Sequence, residues 1–71
     1  MTLSNTDAAY ALHNSPRLRA MPPHRFVGWA LSRMGAVDRS NFEATWRCGG
    51  FTQSGYLARM GYATAHQQAA E

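Results

Sequence analysis

The paired glycines Gly49 and Gly50 constrain this 71-residue chain most, because they stand between two short segments that each have helical signals. Glycine supplies the left-handed backbone that ends a helix. Upstream, Ser40 and Glu43 have the spacing of a capping box, which predicts a helix start at Ser40. Downstream, Thr52 suits an N-cap, with Phe51 before it and Tyr56 four residues after it in the arrangement of a hydrophobic staple. The stretch from Ser40 to Tyr62 is therefore expected to be helix, tight turn and helix. Helix-turn-helix pairs of this kind most often dock in a DNA groove.

The rest of the chain reads as helical too. Ser4, Asn5 and Thr6 offer N-caps, and Asp7 with several alanines follows, giving a weak first helix within residues 1–14 anchored by Leu3 and Leu12. Asn14-Ser15-Pro16 reads as its stop, since proline disfavours helical geometry in the preceding residue. Residues 15–23 are then expected to be an extended basic linker, and residues 24–66 the helical core. Pro22-Pro23 opens the strongest helix, where Phe26, Val27, Ala30, Leu31 and Met34 form one apolar stripe ended by Gly35. Phe42, Thr45 and Trp46 repeat the inward spacing, as do Tyr56, Leu57 and Met60, with Ala63 and Thr64 extending the stripe. The expected core is Phe26, Val27, Ala30, Leu31, Met34, Phe42, Trp46, Phe51, Tyr56, Leu57 and Met60. The fold class is all-α: one small domain of three to four short helices, with a helix-turn-helix-like pair at residues 40–62.

A chain this short buries only about 60% of its unfolded surface, so it needs a staple or a partner. The single Cys48 forms no internal disulfide, and Cys48 with His13, His24 and His66 makes no metal site of recognisable spacing. A homodimer is the expected supplement, with the small residues Ser54, Ala58 and Gly61 of the last helix, or the weak first helix, at the contact. No stretch of about 18 apolar residues exists to span a membrane. The N-terminus lacks the basic and apolar regions of a signal peptide, so a cytoplasmic protein is expected. Neither an acid–base pair nor an activated nucleophile can be assembled, so no enzyme and no cofactor are expected.

The basic residues are seven arginines and no lysine, against four acids, for a net charge of +3 and a pI near 9.8. Arginine's planar fork suits phosphate and guanine edges, although a GC-rich genome also enriches arginine. Arg17, Arg19 and Arg25 lie in or beside the arm without a neighbouring acid, and Arg47 precedes the glycine turn. These four are the candidate phosphate contacts; an ordinary solvated linker is the competing reading of the arm. On the outer side of the last helix, Gln53 near its start, Ser54, and Arg59 at its margin are the candidate base readers.

The stretch Gly50-Phe51-Thr52-Gln53-Ser54-Gly55-Tyr56-Leu57-Ala58-Arg59 resembles the second recognition motif of AraC-type transcription regulators. The pattern is a Gly-Phe pair, a Ser, an aromatic two residues on and an Arg three residues later. The resemblance spans about one seventh of the chain, and that family carries two such motifs in a longer domain. It implies that Phe51 and Tyr56 are core and that Gln53, Ser54 and Arg59 face DNA. The combined expectation is a phage- or plasmid-type repressor that occupies an operator on double-stranded DNA. The alternative is a small phage-type accessory protein that binds and inhibits a larger host protein.

Overall fold

The computed structural model describes residues 2–62, and these form five helices without a strand. Helix α1 spans Asn5–Asn14, α2 Pro16–Ala20, α3 Pro23–Leu31, α4 Ala36–Cys48 and α5 Gln53–Arg59. The expected all-α bundle is therefore present, with one more helix than the sequence suggested. The expected continuation through Ala63, Thr64 and Ala65, and the tail with His66, lie outside the described residues.

Ser4 starts α1 by accepting a hydrogen bond from the Asp7 N–H at 3.0 Å, and Ala8, Ala9 and Leu12 form its buried stripe. The segment expected as an extended linker is α2. Ser15 ends α1 and also caps α2, accepting from the Leu18 N–H at 3.2 Å, while Pro16 sits in the first turn. Proline there has no helical N–H to lose and a fixed helical φ, so it stops one helix and starts the next. Leu18 is the apolar anchor of this turn and a half.

Helix α3 opens at Pro23 as expected but ends at Leu31, not at Gly35. Gly35 instead caps α4, so α4 begins before Ser40, and Ser40 with Glu43 lies exposed inside the helix rather than forming a capping box. The Arg39 N–H bonds the Gly35 carbonyl at 2.9 Å, which closes the first turn five residues early. Asp38, in that turn, accepts from the Asn5 N–H at 3.1 Å and ties the starts of α1 and α4 together.

The core is an aromatic cluster of Phe26, Phe42, Trp46 and Tyr56, with ring centroids between 4.9 and 6.1 Å apart. Their tilted and stacked contacts add to the burial of large apolar surface. Ala30, Met34 and Leu57 are buried with them, as are Ala8, Ala9, Leu12 and Leu18 from the two N-terminal helices. Val27, Leu31 and Met60 are only half-buried at its edge, and Phe51 is 59% exposed, so it is no core residue. Helix α1 packs on α2, α4 and α5, and so is central to the fold. The Tyr56 hydroxyl, buried by this packing, donates to the Asn5 carbonyl at 2.9 Å and lies against the Asn5 side-chain oxygen. Burial, with a smaller push from Tyr62, raises its pKa well above the ordinary tyrosine value.

Candidate nucleic-acid interface

Helices α4 and α5 form the expected pair, and the turn between them is closely specified. The Gly50 N–H bonds the Arg47 carbonyl at 3.1 Å and the Phe51 N–H bonds the Trp46 carbonyl at 3.0 Å, the two bonds of a Schellman motif. Gly50 sits at φ +78°, where glycine carries no steric cost. Thr52 caps α5 as expected, its hydroxyl accepting from the Gly55 N–H at 3.1 Å. A methyl group on Gly49 would stand 2.6 Å from the Gly55 carbonyl carbon and 2.7 Å from the Tyr56 nitrogen. The two helices therefore meet backbone to backbone, in the way that a compact helix-turn-helix requires.

Helix α5 is shorter than expected. Gly61, at φ +94°, closes a second Schellman motif: its N–H bonds the Ala58 carbonyl at 3.2 Å, and the Tyr62 N–H bonds the Leu57 carbonyl at 2.9 Å. Gly61 thus lies beyond the helix and does not continue a helical stripe with Ser54 and Ala58, which are both exposed. Tyr62 turns back toward α1 and stacks on His13 with ring centroids 4.7 Å apart.

Of the three candidate base readers, Ser54 and Arg59 are exposed and Gln53 is buried. Gln53 donates through Nε2 to the Met21 carbonyl at 2.6 Å and to the Leu18 carbonyl at 3.5 Å. Both carbonyls lie at the end of α2, so the Gln53 amide is spent on joining α2 to α5 and does not face outward. Arg59 donates through Nε to the Cys48 carbonyl at 3.3 Å, which leaves the outer nitrogens of its fork at the exposed C-terminus of α4. A cation there is favoured by the partial negative charge of the helix end.

The four candidate phosphate contacts are all exposed. Arg17 and Arg19 sit on α2, which Gln53 holds against the start of α5; Arg47 is in the last turn of α4. Arg25 lies in the first turn of α3. Arg19 is partly engaged, bonding the His13 carbonyl and, at 3.5 Å, that of Leu12 at the end of α1. Arg33 lies over the Trp29 ring at 5.1 Å and donates to the Trp29 carbonyl at 2.9 Å. Cys48 is exposed. Among the described residues no cluster of His, Cys, Asp or Glu could hold a metal ion, and no helix is long and apolar enough to cross a membrane.

Phe51 and Gln53, expected inside and outside respectively, stand the other way round. Phe51 takes a left-handed backbone of its own, at φ +63° directly after Gly50, and no residue pattern in the chain announces that conformation. Comparison with protein-family models, curated proteins and solved structures finds nothing that matches this chain.

Proposed function

We propose that this protein binds double-stranded DNA through the α4–turn–α5 pair and the neighbouring α2, and regulates transcription by occupying an operator. The observation that carries the reading is the Gln53 amide on the Met21 and Leu18 carbonyls, which makes the basic arm and the helix-turn-helix parts of one body. Arg17 and Arg47 are exposed on the two elements flanking α5 and suit phosphates; Arg19 and Arg25 extend the basic set. Ser54 and Arg59 remain as base readers, and Gln53 drops out. A homodimer, in phage or plasmid repressor style, would double this small surface across two half-sites, with the face of α1 at its contact, since Ser54 is committed to DNA. The reaction class is binding alone, which needs no cofactor.

A gel-shift against the DNA flanking its own gene, at low salt, tests the proposal. Retarded complexes that weaken steeply with salt support it. Absence of any affinity at low salt removes it, because even non-specific electrostatic binding would register there.

The second reading is an accessory protein that inhibits a larger host protein, and one observation favours it. Tyr10 and Val37 are 63% and 74% exposed, and Tyr10 borders a shallow groove with Thr2, Leu3, Asp7 and Arg33, on elements other than α5. Exposed apolar side chains beside a groove suit a protein partner.

A further inference from the structure

We infer that Phe51 is a stacking residue for a nucleobase that has come out of the DNA stack, at the C-terminal end of α4 where Arg47 lies and Arg59 is anchored. The inference deepens the DNA-binding reading and rests on it.

Three observations converge on this residue. Phe51 is 59% exposed, whereas Phe26, Phe42, Trp46 and Tyr56 are all buried, so its ring contributes little to the core. Its backbone stands at φ +63°, a left-handed conformation unfavourable for a bulky side chain and free for glycine. A residue that is both strained and unburied is not explained by folding, and such conflicts concentrate at functional sites. The Schellman bonds then fix it: the Phe51 N–H is held on the Trp46 carbonyl at 3.0 Å, so the ring projects from a rigid turn.

The surroundings point to the ligand. Arg47 is exposed in the last turn of α4, and Arg59 is anchored on the Cys48 carbonyl at the end of the same helix. The segment from Arg47 to Arg59 contains no acid. An exposed aromatic ring at a helix end that also carries exposed arginines suits a base and its adjoining backbone, the combination that single-stranded nucleic-acid sites use. Edge recognition is left to Ser54 and Arg59, since the Gln53 amide is consumed inside the fold. Phe51 recognises a base by its face, which is available only where a step is unstacked or a base unpaired.

The test compares a fluorescently labelled perfect duplex with the same duplex carrying one unpaired 2-aminopurine. The wild-type protein should bind the second at least about tenfold more tightly and quench the 2-aminopurine fluorescence, as base–aromatic stacking does. F51G should bind both duplexes equally, at the wild-type affinity for the perfect one and with the same salt slope. Its melt should be no lower than that of the wild type, because glycine accepts φ +63°. F51W should restore both preference and quenching. Equal binding of the two duplexes by the wild type, or a preference that survives in F51G, overturns the inference and leaves the DNA-binding reading standing. A wild-type protein that binds neither duplex at low salt overturns both.

Discussion

Gly55 lies directly against Gly49, so close that a methyl group on Gly55 would stand 2.7 Å from the Gly49 carbonyl carbon and overlap its oxygen. The obstructing atoms are backbone, which cannot rotate aside as a side chain would. G55A and G49A should therefore push α5 off α4 and cost at least ~1–3 kcal/mol, the usual range for overpacking. G28A is the contrasting case. Gly28 lies within α3 with nothing near its missing methyl, so alanine should stabilise the helix by ~0.5–1 kcal/mol. Denaturant melts of the three variants should move in these opposite directions. A neutral G55A would mean that the helix crossing is looser than described.

Gln53 offers a direct choice between a structural and a DNA-reading role. Q53A deletes the buried donor to the Met21 and Leu18 carbonyls and leaves those acceptors without it. A loss of ~1–3 kcal/mol is expected, the cost of a buried polar group deprived of its partner. If Gln53 instead read a base, Q53A would leave the melt unchanged and alter only discrimination between DNA sequences. Measuring thermal stability without DNA separates the two.

Tyr56 gives the fold a pH dependence of known sign. Its phenol is buried on Asn5 and its pKa is raised by burial, so the neutral form is the one that the folded state accommodates. In the unfolded chain it ionises near ~10. Its stabilising contribution is thus complete below pH ~10 and declines as pH rises above that value, where the unfolded state releases the proton and the folded state retains it. Y56F removes this ionisation together with the hydrogen bond to the Asn5 carbonyl. It should be less stable than wild type by ~0.5–1.5 kcal/mol at neutral pH, with a gap that narrows as pH climbs past 10. A constant gap up to pH 11 would contradict the assignment.

The apolar stripes were legible in the sequence because Phe26 and Ala30, Phe42 and Trp46, and Tyr56 and Leu57 keep helical spacing within segments bounded by caps. The turn was legible through Gly50 and Thr52, whose roles are local. The remainder depended on long-range choices. Pro16 is compatible with stopping a helix and with starting one, and the burial of Leu18 decided between them. Ser40 and Glu43 formed a valid cap signal, but Gly35 started the helix earlier and the Asp38 carboxylate was engaged by Asn5. Gln53 and Phe51 were assigned by polarity, whereas their positions follow from which side of the turn meets α2. The candidate site was legible as a set of exposed arginines; how the arm docks beside α5 was not, because one amide thirty-two residues from Met21 makes that connection.

The charge of that surface supplies the last prediction. Each phosphate neutralised by an arginine releases condensed counterions, so log K should fall with log salt by about 0.9 per contact. Arg17 and Arg25 are exposed on different helices and bond no carbonyl through their side chains among the described hydrogen bonds. R17A or R25A should weaken binding to all duplexes alike and flatten the slope by roughly one unit. Arg19 is already engaged on the end of α1, so R19A should also lower the melt, which R17A should not. R59A should act differently again, because a guanidinium on a guanine edge carries ~1–3 kcal/mol of discrimination. Salt titrations of operator and random duplexes with each variant would resolve these classes. Identical slopes for wild type, R17A and R25A would show that the arm does not touch the backbone of DNA, and would leave the α4–α5 turn as the whole of the interface.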